Sequence, residues 1–174
     1  LRGGLLANPP VGVRNIFAEA DVPRLPAEWA LRFIWENQEV VTALSGMNSG
    51  DQVMVNCAVA STAFPNSMPT SQMEVIKKAQ SWFDSKIKVP CTGCKYCLPC
   101  PKGVEIPSIF DHFNTASMRG LLEEKETILF TDYKNMVDRN QGANQCVNCG
   151  ACVSKCPQHI DIPTMIQEAH KSLI

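Results

Sequence analysis

Eight of the chain's nine cysteines fall in two short runs, Cys91 to Cys100 and Cys146 to Cys156. The second run reads Cys146-x2-Cys149-x2-Cys152-x3-Cys156-Pro157. The first reads Cys91-x2-Cys94-x2-Cys97-x2-Cys100-Pro101, one residue shorter in its last gap. No other feature limits the fold as strongly. Three thiolates two residues apart can reach three iron corners of one cubane from a single tight loop, while the fourth points away toward the other run. The spacing therefore predicts two [4Fe–4S] clusters with crossed ligation. One takes Cys91, Cys94, Cys97 and Cys156; the other takes Cys146, Cys149, Cys152 and Cys100. The short gap bears on Cys100 alone, since its task is to lead the chain toward the opposite loop. Pro101 and Pro157 end the loops and set the direction of the next helix. Gly93 and Gly150 sit where a side chain would crowd a cluster or demand a positive φ.

Two other uses of cysteine compete with this one. Structural zinc takes four ligands, commonly as two Cys-x2-Cys pairs, so eight cysteines could hold two ions. Runs at x2, x2, x3 closed by proline are rare for zinc. A disulfide scaffold would be shorter and would spread its cysteines along the chain. Of the remaining candidates, Cys57 stands alone and reads as a small buried apolar residue. His112, His159 and His170 are scattered, and His159 reads as a solvent-facing or helix-start residue.

The bulk properties exclude several classes. The net charge is −1 and the pI about 6.3. That balance offers no basic surplus for nucleic acid and no polybasic run for a membrane. No apolar run is long enough to span a bilayer. With no charged leader followed by an apolar stretch, and with clustered thiols, the expected compartment is a reducing cytoplasm. The opening Leu1-Arg2-Gly3-Gly4-Leu5-Leu6 reads as the interior of a longer protein.

Periodicity predicts an amphipathic helix over 27–37, with Trp29, Phe33, Ala30 and Ile34 on one side. Val40-Val41-Thr42-Ala43-Leu44, closed by Ser45-Gly46, carries the signature of a buried strand. A helix over 49–60 follows, with Ser49 as its cap. Helix, buried strand, glycine turn and helix in that order is α/β syntax, which requires further strands from outside this chain. Residues 11–26 read as irregular, with one short turn at 16–19. Residues 61–69 read as a linker and 70–85 as a helix. Further helices are expected over 106–118 and 121–138, the latter broken near Phe130-Thr131. The last helix is expected over 162–173, with Asp161 as its cap. The segments Gly103-Val104-Glu105-Ile106-Pro107 and His159-Ile160-Asp161-Ile162-Pro163 repeat each other, so loop plus helix is duplicated.

The N-terminal segments carry a resemblance. Leu1-Arg2-Gly3-Gly4-Leu5-Leu6 resembles the segment after the seventh barrel strand of aldo/keto reductases. Ala30-Leu31-Arg32-Phe33-Ile34 is similar to that family's Leu-Arg-Trp helix. Leu44-Ser45-Gly46-Met47 resembles the loop after the last strand, and Gln52-Val53-x2-Asn56 the start of the next helix. Pro90-Cys91-Thr92-Gly93-Cys94-Lys95-Tyr96-Cys97 is similar to the dicluster domain that follows the barrel in one branch.

The resemblance implies a mainly α chain. The last βα units of a (β/α)8 barrel would occupy 1–60, a linker and helix 61–90, and an α-helical two-cluster ferredoxin-like domain 91–174. It implies NAD(P)H in the full-length protein, with Leu1, Gly3, Gly4, Gly46, Met47, Asn48, Gln52 and Asn56 near the cofactor. A helix N-terminus with small residues suits its phosphates. No basic residue lies between Gly46 and Gln52, which leaves NAD and NADP undivided. The family's catalytic Asp, Tyr, Lys and His have no counterpart here, so the fragment alone holds no catalytic residue. The implied role is the electron-transfer module of a nicotinamide-linked oxidoreductase, acting on a small-molecule substrate and passing electrons to a redox partner protein or domain. Two rivals stand beside it: a stand-alone ferredoxin-like carrier or docking subunit, and a regulatory module whose clusters sense oxygen or iron.

Overall fold

The computed structural model describes residues 4–174. Among the described residues seven α-helices follow one another: α1 (Val11–Ala18), α2 (Pro26–Trp35), α3 (Gly50–Ala60), α4 (Thr70–Lys86), α5 (Ile106–Arg119), α6 (Ile128–Asp138) and α7 (Ile162–Leu173). A 3-10 turn, Ala143–Gln145, lies between α6 and α7. The chain divides into two compact units, Leu1–Asp84 and Ser85–Ile174. Among the described residues no helix is long and apolar enough to cross a membrane.

The barrel expectation is overturned. Among the described residues there is no β-strand, and so there are no βα units. Residues 40–48 carry no regular structure, with Val41 90% and Leu44 99% exposed. The reason is general. A short β-branched, apolar run records a preference for a packed, pleated surface, but a strand exists only where a neighbour completes its ladder. Among the described residues no second strand does so.

In the first unit, Trp29 on α2 is the centre of a small core with Val13, Val59, Met68 and Ala79. Phe17 stacks on its ring at 5.5 Å, and the Arg24 guanidinium lies 5.0 Å from the ring centroid. Burial is the main cause that lowers the Arg24 pKa, with Arg32 adding and Glu28 opposing. Polar links hold the segments between helices. Glu36 accepts from the amides of Ser67 and Met68 at 3.0 and 2.9 Å. Arg32 donates to Thr62 Oγ1 at 2.9 Å. Gly12 is required by close approach, because a Cβ there would stand 2.3 Å from Trp82 Nε1.

Three local expectations in this unit need correction. Residues 11–18 are helical rather than irregular, starting directly after Pro10. Phe33 is 40% exposed although it shares the α2 periodicity with buried Trp29. Cys57 is exposed, because α3 buries Val59 and little else. Ser49 caps α3 as expected, accepting from the Gln52 amide at 3.4 Å.

The second unit carries the larger core. α5 and α7 pack together, joined by α6 and the 3-10 turn. Ile106, Ile109, Phe110 and Phe113 recur at helical spacing along α5 and are all buried. They meet Ile162, Ile166, Ala169 and Leu173 of α7, with Val89, Val104, Phe130, Tyr133, Ala143 and Ile160 completing the cluster. Gly120 ends α5 at φ +71°, and the Leu121 amide returns to Ala116 O at 2.9 Å. That left-handed stop suits glycine. The expected helix over 121–138 therefore starts only at Ile128, after a turn, and runs unbroken through Phe130-Thr131. Asp161 caps α7, its two carboxylate oxygens accepting from the Thr164 amide at 3.5 Å and hydroxyl at 2.7 Å.

Candidate metal centre

Both cysteine loops lie in the second unit, and each is shaped by the same backbone devices. Cys94 is flanked by Gly93 at φ +71° and Lys95 at φ +66°. Cys149 is flanked by Asn148 at φ +56° and Gly150 at φ +74°. Left-handed residues on both sides of the middle cysteine curl the chain tightly enough for its neighbours to face one point. Asparagine and glycine are the residues that adopt this conformation most readily. Beyond each fourth cysteine a turn closes in the same way. The Gly103 amide donates to Cys100 O at 2.9 Å, and the His159 amide to Cys156 O at 3.1 Å. Gly103 and His159 are again left-handed, at φ +71° and +52°. Each turn then runs through a short apolar step into α5 or α7. The duplication visible in the sequence is thus a duplication of backbone conformation.

The two loops differ between their third and fourth cysteines. The Leu98–Pro99 peptide there is cis. Even so, both fourth cysteines cross over. One cavity is lined by Cys91, Cys94, Cys97 and Cys156, together with Ile106, Pro107, Phe110, Ile160 and Ile162. The other is lined by Cys100, Cys146, Cys149 and Cys152, together with Val104, Ile106, Ile162, Pro163 and Ile166. They enclose ≈ 320 and ≈ 390 Å³, part of which opens to solvent. Ile106 and Ile162, the first residues of α5 and α7, line both.

The donor set suits an iron–sulfur cubane better than a single ion. Zinc would draw four sulfurs to within about 3.8 Å of one another. Among the described residues no three His, Cys, Asp or Glu side chains are grouped to hold one ion. A cubane takes one thiolate at each of four corners and keeps its sulfurs farther apart. The apolar walls also suit a cluster, since burial and amide hydrogen bonds to sulfur are what set its potential. One such hydrogen bond is present in the first loop, where the Gly93 amide donates to Cys91 Sγ at 3.4 Å.

The thiols sense each other. Burial pushes Cys97 up to about 11, with Cys91, Cys152 and Cys94 adding to the rise. Burial likewise raises Cys152, and Cys100, Cys146 and Cys149 push the same way. Cys97 and Cys152 lie at the inner side, whereas the middle cysteines, Cys94 and Cys149, are exposed.

Sequence reasoning missed two supports of this site. Asn114 on α5 is 1% exposed and holds the segment that leads into Cys91. Its Oδ1 accepts from the Lys88 and Val89 amides at 2.9 and 3.0 Å, and its Nδ2 donates to Val89 O at 2.8 Å. The available signal was a polar residue one step past Phe113 on the apolar stripe of α5. The second support joins α6 to α7. The Tyr133 hydroxyl lies 2.6 Å from His170 Nδ1 and accepts from the Ala143 amide at 3.4 Å.

The residues implied for a nicotinamide lie elsewhere, in the first unit. Leu1 and Gly3 fall outside the described residues. Gly4 is exposed at φ +84°. Gly46, Met47, Asn48 and Gln52 are exposed, and Asn56 is partly so. They bond to one another: the Asn48 amide donates to Gln52 Oε1 at 2.9 Å, and Asn56 Nδ2 donates to Ser45 Oγ at 3.1 Å. These bonds cap a helix, and nothing in the arrangement supports NAD(P)H.

No curated protein and no solved structure matches the chain. Residues 90–160, which span both cysteine loops and the helices between them, match the family model of a 4Fe-4S dicluster domain, and the eight clustered cysteines fit the cluster binding which that family implies.

Proposed function

We propose that the second unit is a one-electron transfer module with two [4Fe–4S] clusters. Cys91, Cys94, Cys97 and Cys156 hold one; Cys146, Cys149, Cys152 and Cys100 hold the other. The observation that carries the reading is the crossed lining of the two cavities, each with three sulfurs from one loop and one from the other. When bound, each cluster supplies a one-electron couple. The chain's own residues do the rest. Left-handed residues orient the thiols, Ile106 and Ile162 keep water from both cavities, and the exposed Cys94 and Cys149 give electrons a way in and out. The module serves as a carrier or as the redox arm of an oxidoreductase, and any substrate site belongs to that partner.

Anaerobic reconstitution tests the reading. The expected product is brown, with about eight irons and about eight sulfides per chain, and bleaches on reduction. A colourless protein that retains zinc under the same conditions overturns it.

A further inference from the structure

Charge on the second unit is segregated. From Ser85 to Val104 the chain carries Lys86, Lys88, Lys95 and Lys102 and no carboxylate. From Arg139 to Ile160 it carries Arg139 and Lys155 and again no carboxylate. All six cationic side chains are exposed, and none forms an ion pair among the described residues. The acidic side chains gather elsewhere, with Glu123, Glu124, Glu126, Asp132 and Asp138 outnumbering Lys125 and Lys134 over residues 121–138. Lys95 lines the cavity of Cys91, Cys94, Cys97 and Cys156, and Lys102 lines the other. The same two loops carry apolar side chains with no cover: Tyr96 is 66% exposed, Val147 58% and Val153 39%. Both middle cysteines open onto these loops.

We propose that the cysteine loops form the docking face for an acidic one-electron carrier protein. This rests on the reading of the loops as cluster cradles. Apolar residues at the centre of a charged rim are the anatomy of a transient protein interface. An uncompensated rim of one sign raises the encounter rate with a partner of the opposite sign, by tenfold to a thousandfold at low salt. The chain's overall charge of −1 conceals this face, because the carboxylates in the rest of the second unit and the acidic surplus of residues 1–84 offset it in the sum. The exposed Cys94 and Cys149 bring the electron's exit to the same surface.

The test uses the reconstituted holoprotein and second-order electron-transfer rates under anaerobic conditions. The probes are a flavodoxin as acidic carrier, cytochrome c as basic carrier and photoreduced lumiflavin as uncharged small reductant. The expected rate with flavodoxin falls as salt rises from about 20 to 300 mM, whereas that with cytochrome c does not fall. In Lys88→Glu/Lys155→Glu, two exposed cations that line neither cavity, the flavodoxin rate, taken relative to the lumiflavin rate, drops about tenfold or more. A flavodoxin rate indifferent to salt, or a variant in which both rates fall together, overturns the docking face. So does salt-sensitive retention on vesicles of anionic lipid without a salt-dependent flavodoxin rate, which would make the face a membrane surface. Iron content and lumiflavin reduction report separately on the clusters themselves, so a failed cradle is told apart from a failed docking face.

Discussion

Replacing Asn114 by alanine should loosen the entry to the first cysteine loop more than any other single polar deletion in the second unit. The Asn114 amide satisfies three backbone groups of residues 88 and 89. Two of them belong to Val89, which is fully buried; its C=O still accepts from the Cys91 amide at 2.7 Å, so the loss leaves the Val89 N–H without a partner. Such an orphan costs about 1–3 kcal/mol. The Lys88 amide belongs to an exposed residue and turns to water, adding little. The removed carboxamide also leaves room for a water that recovers part of the loss. The net cost is about 2 kcal/mol, or roughly thirtyfold in a local opening equilibrium. Amide hydrogen exchange on the anaerobic holoprotein reads this directly. Protection at Val89 should fall by about thirtyfold, while Asn135→Ala, an exposed asparagine on α6, leaves it unchanged. Release of iron to a chelator should quicken as well, because Val89 lies two residues before Cys91. Val89 protection within about threefold of the parent would refute the argument that Asn114 carries this segment.

Four further outcomes follow from the same geometry. Substituting Cys97 and Cys156 together with serine should leave about four irons per chain, whereas substituting Cys97 and Cys100 should damage both clusters; iron analysis and absorbance after reconstitution separate the two. His159→Gly should raise stability by about 0.5–1 kcal/mol in urea titration, since a left-handed histidine costs more than the added backbone entropy of glycine, and Gly103→Ala should lower it by about 1–2 kcal/mol. Gly142→Ala should cost about 1–3 kcal/mol in the same assay, because its Cβ would stand 2.6 Å from Val137 Cγ2 and 2.9 Å from Val137 Cα. The His170 pKa is lowered by burial, so the unfolded chain takes up that proton first and stability falls as pH drops through about 6.5. The thermal midpoint should therefore decline from pH 7.5 to 5.5 by more in the parent than in His170→Gln.

The two halves of the chain were unequally legible. In the second half, cysteine spacing specifies a site before any fold is known, because few metal centres accept thiols at x2, x2 and a terminal proline. Helix starts at Ile106 and Ile162 were equally readable, since proline in the first turn and an acidic residue before it are local signals. In the first half the evidence was of another kind. The stretch Val40 to Leu44 has the composition of a buried strand and the exposure of a loop, because composition reports what a residue prefers and not what stands beside it. A likeness carried by short motifs such as Leu44-Ser45-Gly46-Met47 inherits the same weakness.

By itself the amino-acid sequence singled out eight thiols as candidate metal ligands and required each run to form a tight loop, since both follow from spacing within a few residues. The tertiary structure supplied the two cavities in which the fourth sulfurs, already crossed by their spacing, come to stand, and it alone decided that Asn114 fastens the strap before Cys91 and that no ladder forms at Val40 to Leu44. Those outcomes depend on which distant segments come within hydrogen-bonding or van der Waals reach, a quantity that no local pattern of residues contains.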